Sequence, residues 1–442
     1  MNGTLSLASE STPVDNVIGR NMSHHNGDEG LWSSGPAEGY SVCGRCFDDA
    51  DISNFIASAA DFSECDFCGQ KSSAGEIAAP LDAVVEFIAQ AVEREYDLAV
   101  NKLGFESAED GYQGDHFDSR DLLSEELGLQ LPNDDDGRLL DILADCFGNE
   151  DWCQVNPYGM RPDEMLTFSW ERFCDFIKNE RRYFFLQETK SHSDGYLTPS
   201  ELLQFVSDAA KEHSLVKALP EGSLIHRARQ CEYGEDLVSP YDFGPPPVEF
   251  AISSNRMSPA GIVMFYGSED PETARAEIDD QPQLGISIGT FRTTRPTTVL
   301  DLTALPRPIR FFEVQSDSST VDRYALSFLH SFVKSLAAKV DRQSKREHID
   351  YVPTQVVTEY FRTVFRKHDD SRIDGVRYYS SQRKLGKSLV LFADRDSLVL
   401  NPSQMECLVH SEKYQEWELR LRHREGWLEL VERNVIRLAI GP

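Results

Sequence analysis

Three residues in the second half of the sequence, Arg256, Tyr266 and Glu277, stand at near-regular intervals across RMSPAGIVMFYG and the ETARAE that follows. Their types suit one kind of chemistry. An arginine can fork two N–H donors onto phosphate oxygens, and a tyrosine offers a flat face to an aromatic ring. A glutamate can hold a sugar hydroxyl and stabilise positive charge developing at an anomeric carbon. Arg227 in LIHRAR and Ser380 in RYYSSQ add polar groups beside apolar strands. Together these functions suit cleavage of the nicotinamide–ribose bond of NAD. The leaving group departs as a neutral pyridine, so no general acid is required, and one carboxylate serves an oxocarbenium-like transition state. Taken singly, each residue has a plainer reading: an ion-paired surface arginine, a core tyrosine with its hydroxyl at the rim, a solvated glutamate.

A second constellation lies near the start. Cys43 and Cys46 form one CxxC pair and Cys65 and Cys68 another, with Gly44 and Gly69 easing the turns. Two such turns present four thiolates to one tetrahedral zinc. Four thiolates leave no open position for water, so the expected zinc is structural. A thioredoxin-like reading would need a strand before and a helix after a pair, and neither has that context.

The elements that must position these residues fall into blocks. Residues 1–40 are Ser-, Gly- and acid-rich without apolar period and read as a disordered tail. Residues 41–72 hold the zinc knuckle. From 78 to 215 the pattern is helical, beginning with an apolar stripe from Leu81 to Leu103 that predicts about six turns. From 219 to 402, β-rich runs such as LIHRARQ, GISIGTFR and SLVLFA are broken by Gly and Pro and interrupted by two helices near 321–340 and 354–365. Residues 403–442 form a C-terminal extension, read as an added helix and strand. The expected class is α+β: a mixed-sheet domain preceded by a four-cysteine knuckle and an all-α helical domain. The helical block is expected to be separable at about residue 215.

Composition narrows the partners. The 442 residues carry a formal charge of −30, a surface that repels nucleic acid and anionic membrane. A small anionic ligand would need its own arginines. No apolar run approaches the ~18–20 residues of a membrane span, and the N-terminus has neither the charged nor the apolar region of a signal peptide. A soluble, cytoplasmic protein is expected.

The stretch from about 224 to 400 resembles the RES domain, named for its Arg, Glu and Ser, found in NAD-degrading bacterial toxins whose fold is related to ADP-ribosyltransferases. The resemblance rests on RMSPAG at Arg256, the apolar run ending in Tyr266, ETARAE ending in Glu277, DYVPTQ at 350–355 and DGVRYYSS at 374–381. It implies an ADP-ribosyltransferase-like mixed sheet, NAD as substrate, a catalytic core of Arg256, Tyr266 and Glu277, and further NAD contacts from Arg227 and Ser380. Tyr379 stands where related sequences carry proline, so the matching serine is Ser380 or Ser381. The extension past 402 could cap or occlude the pocket.

The implied function is that of an NAD glycohydrolase or phosphorylase, a toxin or defence effector that depletes NAD. ADP-ribosylation of a macromolecule and non-enzymatic nucleotide sensing are the alternatives. A neutralising or regulatory protein partner is expected, and homo-oligomerisation stays open. The N-terminal half resembles the HEPN-like accessory region of longer RES proteins. Catalytic HEPN domains place a His five to seven residues after an Arg. His116, His192 and His213 have no such arginine, which leaves that region without chemistry of its own.

Overall fold

The computed structural model describes residues 31–106, 111–185, 195–232, 235, 237–278, 285–313, 317–338, 346–412 and 415–436. These divide into two compact units. One takes the chain to Met165 together with Arg307–Ser327, the other Leu166–Pro306 with Phe328–Pro442.

In the first unit β1 (Ser41–Cys43) pairs antiparallel with β2 (Ala78–Pro80). Between them α1 (Ala50–Ser58) starts on Asp49, whose carboxylate accepts from the Asp51 and Ile52 amides. The apolar stripe of α2 (Leu81–Val92) buries Val84, Val85 and Ile88 against the knuckle, so Cys43, Cys46 and Cys65 share one core with this helix. Of the expected tail, residues 1–30 lie outside the described residues, but 31–40 are ordered. Ala37 is buried, the Ser33 amide bonds the Cys146 carbonyl at 2.8 Å, and Leu31 and Trp32 pack on the same core. Two large apolar side chains outweighed the polar composition around them.

The six-turn helix is also corrected. After α2 the chain forms β3 (Tyr96–Leu98), antiparallel to β4 (Trp152–Gln154), with α3 (Arg138–Phe147) between them in sequence. Buried Asp97 accepts from the Leu98 amide and from Asn101 Nδ2, and Tyr96 Oη donates to Glu126 at 2.7 Å. Tyr96, Ala99 and Leu103 are buried as the stripe required, but burial alone does not discriminate helix from a strand and a short turn of helix. A further pairing of Phe105–Glu106 with Gly111–Tyr112 means that the expected all-α block contains β structure.

The second unit includes most of α4 (Pro162–Asn179) and all of α5 (Pro199–Glu212). A cut at 215 would therefore not separate helices from sheet. Trp170 and Phe205 pack edge-on against Phe332 and Phe328 of α7 (Asp317–Ala337), and Trp170 Nε1 bonds Ser335 Oγ at 2.9 Å. The remaining elements in chain order are β5 (Val216–Leu219), β6 (Leu224–Cys231), β7 (Phe265–Ser268), α6 (Pro271–Ala276), β8 (Gly285–Thr293), β9 (Thr297–Asp301), α8 (Val352–Thr363), β10 (Gly375–Tyr379), β11 (Lys387–Leu391), β12 (Leu398–Val399), α9 (Pro402–Glu412), α10 (Glu416–Arg422) and β13 (Leu428–Ile436).

They form a nine-stranded mixed sheet among the described residues, ordered β12-β13-β8-β6-β7-β11-β10-β9-β5, with β9–β10 and β12–β13 parallel and the rest antiparallel. Phe243, Phe265, Phe291, Leu389, Leu419 and Leu428 lie in one core cluster. The segment after 402 is thus part of the sheet, because β13 pairs with β8 from Ile286↔Ile436 to Thr293↔Leu428.

One junction in the sheet differs from the others. β6 and β7 share a single ladder pair, His226↔Ser268, whereas β6 pairs with β8 along its whole length. Beside that pair the strands crowd: a Cβ on Gly267 would lie 2.4 Å from the buried Ile225 Cγ2, so only glycine fits. Beyond it the ladder stops, leaving the stretch of β6 from Arg227 onward unpaired to β7.

Candidate functional site

A cavity of about 920 Å³ opens at this split and is lined from β6, β7, α6, the 250–264 loop, Glu347 and Tyr351, and the β10–β11 turn. Its size falls in the usual ~300–1,000 Å³ range of small-molecule sites. Arg227, Arg256, Tyr266 and Glu277 all line it, and of the two candidate serines Ser381 does. Among the described residues, none after 402 is in the lining.

Tyr266 lies within β7, which begins at Phe265; residues 262–264 lead into it as an irregular segment and not as the expected strand. Alternation along β7 buries Phe265 in the core and leaves Tyr266 lining the cavity. The Tyr266 hydroxyl lies 2.8 Å from Ser258 Oγ, and burial pushes the phenol up to about 12, so it is neutral and available as a donor.

Glu277 is the C-terminal cap of α6. The helix is started by Asp270, whose carboxylate accepts from the Thr273 amide and hydroxyl. Arg383 then ties it to the β10–β11 turn by donating to Asp270 and Glu272. Glu277 Oε1 accepts from Ser380 Oγ and, at 3.2 Å, from Ser388 Oγ.

Arg256 is committed more than its sequence role suggests. Nη1 donates to the Leu336 and Ala338 carbonyls at 2.8 and 2.7 Å, at the C-terminal end of α7, where a cation is favoured. Nη2 reaches Ser381 Oγ at 3.3 Å, and the guanidinium lies 5.6 Å from the Tyr351 ring centroid. The two serines are therefore divided, Ser380 to the glutamate and Ser381 to the arginine. The turn carrying Arg256 is pinned by buried Gln355, which donates to the Asn255 carbonyl at 2.8 Å, and by Thr358, whose hydroxyl contacts Met257 Sδ at 3.0 Å.

Arg227 is the converse case. Its guanidinium carbon sits 5.1 Å from the Phe265 ring centroid, and Nη1 is buried with no hydrogen-bond partner. Burial first, and then neighbouring Arg229, press its pKa well below the ordinary 12.5. Arginine keeps its proton in proteins, so the pressure expresses a destabilised cation that an anion in the cavity would relieve. Arg229 Nη2 donates to the Gly244 carbonyl at 2.8 Å, while its Nε is buried and unpartnered.

Sequence reading missed Ser388, Arg383 and Arg229 and gave Gln355 no role. A serine in an apolar strand carries no signal of what faces it. Gln355, by contrast, is a polar residue on an otherwise buried helical face, which could have marked it.

In the first unit Cys43, Cys46, Cys65 and Cys68 place their sulfurs within 4.8 Å of one another. Cys43 and Cys68 are 3.4 Å apart, Cys46 and Cys65 3.7 Å. A tetrahedron with ~2.3 Å metal–sulfur bonds has edges of about 3.8 Å, so the four could hold one metal ion. The Cys46 thiol and the Cys68, Phe67 and Cys43 amides hold the Cys65 thiol down to about 4, while burial and Cys68 push Cys43 up to about 11. One thiolate in so tight a group disfavours the next, and a dication supplies the charge that lets all four ionise.

The split sheet thus stands over a polar cavity lined by arginines, a tyrosine and a tethered glutamate, groups chemically suited to a small anionic ligand. Family models place it further. The model described as RES domain matches residues 224–421, and HEPN/RES N-terminal domain 1 matches residues 58–191. The chain is a RES domain protein with an N-terminal HEPN-like region. No curated protein and no solved structure matches it. Among the described residues no helix is long and apolar enough to cross a membrane.

Proposed function

We propose that the chain cleaves the nicotinamide–ribose bond of NAD, releasing nicotinamide and depleting NAD as a toxin or defence effector. The observation that carries this is the buried, unpartnered Nη1 of Arg227 in the same cavity as Glu277. A buried cation without a partner is costly, and the diphosphate of a dinucleotide offsets it with charge-assisted hydrogen bonds.

Arg227 and the remaining donor capacity of Arg256 take the diphosphate, Tyr266 packs against the nicotinamide side, and Glu277 faces the anomeric carbon. Glu277 Oε1 is held by hydroxyls and no described residue hydrogen-bonds Oε2, so Oε2 is the oxygen offered to the developing oxocarbenium ion. Water or phosphate then accepts the ADP-ribosyl group. The split between β6 and β7 supports an ADP-ribosyltransferase-like sheet. In the same reading the cysteine cluster binds structural zinc, and the HEPN-like region recognises a regulatory protein.

Incubation of the purified chain with NAD, with and without phosphate, tests this by identifying the products. Free nicotinamide with ADP-ribose or its 1″-phosphate is expected, and Glu277→Gln should bind NAD without turnover. Label that stays attached to protein or nucleic acid would favour transfer; NAD bound but unchanged by the wild type would favour sensing.

A further inference from the structure

The geometry points to Ser388 as a positioning residue that, with Ser268 behind it, sets the rotamer of Glu277; the inference rests on the NAD-cleaving reading above. Glu277 is solvent-exposed and sits just past the end of a six-residue helix, where the backbone alone leaves its three side-chain torsions loose. Its neighbours are different. Ser388 and Ser268 are 2% and 1% exposed, and they are direct register partners on β11 and β7.

Their hydroxyl oxygens are 3.4 Å apart, and Ser388 Oγ donates onward to Glu277 Oε1 at 3.2 Å. Ser388 has one hydroxyl proton, and the carboxylate takes it. Ser268 must then be the donor in the serine pair, which orients the chain Ser268 to Ser388 to Glu277. Because this chain comes from the rigid interior of the sheet, it fixes Oε1 from below, while Ser380 fixes the same oxygen from the turn.

Two hydroxyls on one oxygen leave Oε2 as the face toward the cavity. A carboxylate presented at one fixed angle meets charge that appears only in the transition state, so the contribution belongs to turnover more than to binding. Ser380 anchors the same oxygen from outside the sheet. It lies in a turn whose Leu385 adopts a positive φ of 62°, and its hydroxyl also accepts from the Gln382 and Arg383 amides at 3.1 and 3.2 Å.

The test is steady-state NAD cleavage by wild type, Ser388→Ala, Ser388→Thr and Ser268→Ala in the full chain, with melting temperature measured for each. Ser388→Ala is expected to lower kcat by roughly ten- to a hundredfold, the range for losing a hydrogen bond to a charged group, with KM within about twofold of wild type. Ser388→Thr keeps the hydroxyl and should recover most of kcat, and Ser268→Ala should give a smaller kcat loss of the same kind. An active wild type with Ser388→Ala at wild-type kcat would overturn this inference and leave the NAD-cleaving reading standing. A kcat loss that Ser388→Thr fails to recover at unchanged melting temperature would also overturn it. A wild type that neither binds nor cleaves NAD would overturn both readings together.

Discussion

Replacing Arg227 by methionine should weaken ligand binding while leaving the ligand-free protein as stable as before, or more so. Nη1 of Arg227 is buried without a partner and presses against Arg229 in a cavity wall, so the wild-type fold carries a charge it does not neutralise. Methionine matches the length of the stem, keeps contact with the Phe265 ring that the guanidinium covers at 5.1 Å, and removes the charge. What is lost is a cation–π contact of about 2 kcal/mol; what is relieved is a desolvated cation of several kcal/mol. The melting temperature of the ligand-free protein should therefore hold or rise, by ~2–4 °C per kcal/mol for a unit of this size.

Binding moves the other way. A charge-assisted hydrogen bond to phosphate is worth ~1.5–3 kcal/mol, so Kd for ADP-ribose should rise by roughly ten- to 150-fold. At a ligand concentration of 100 wild-type Kd, wild type gains ~2.7 kcal/mol of stability. A variant bound a hundredfold more weakly gains only ~0.4 kcal/mol at that concentration. Calorimetric titration with ADP-ribose and thermal melts with and without it read both effects in one set of samples. A variant that melts several degrees lower, with unchanged affinity, would show Arg227 to be a structural cation and remove the main support for an anionic ligand here.

Two further outcomes are expected. Purified protein should contain one zinc per chain by elemental analysis, and Cys43→Ser or a strong chelator should release it and lower the melting temperature of the first unit, because Cys43 shares a core with α2. Stability should also fall in mild acid through His423, whose Nε2 lies 2.6 Å from Tyr241 Oη and whose Nδ1 lies 2.8 Å from the Leu398 carbonyl. Burial lowers its pKa from the ordinary 6.5, so the unfolded chain takes up a proton first. The His423 contribution is thus complete above about 6.5 and lost as pH falls through the folded pKa; denaturant melts between pH 7.5 and 5 should show the slope in wild type and a shallower one in His423→Gln.

How far the site could be read ahead depended on whether local pattern carried it. The β-rich runs of the second unit appear as strands close to their expected places because alternating apolar residues between Gly and Pro leave few alternatives. Arg256, Tyr266 and Glu277 do line one cavity, and the four cysteines do converge. The division between Ser380 and Ser381 could not be read from the sequence, since adjacent residues in a turn point different ways for reasons set by the turn's own hydrogen bonds. Residues 31–40 and the first long helix depart from their sequence pattern for a related reason. Leu31 and Trp32 find burial against residues far along the chain, and Tyr96–Leu98 finds a strand partner more than fifty residues away, contacts that no window of neighbouring residues contains.

The sequence by itself determined the residue types, the spacing of the cysteine pairs and the apolar periods, because thiolate ligation and hydrophobic burial act through side chains whose identity is local. Only the tertiary structure decided that the sheet parts between β6 and β7, that Nη1 of Arg227 is buried there without a partner while Nη1 of Arg256 is tied to the end of α7, and that a serine from β11 reaches Glu277. Those outcomes come from strands brought side by side across long stretches of chain. The free energy of a buried charge or a shared proton depends on what stands opposite, and the fold alone sets that.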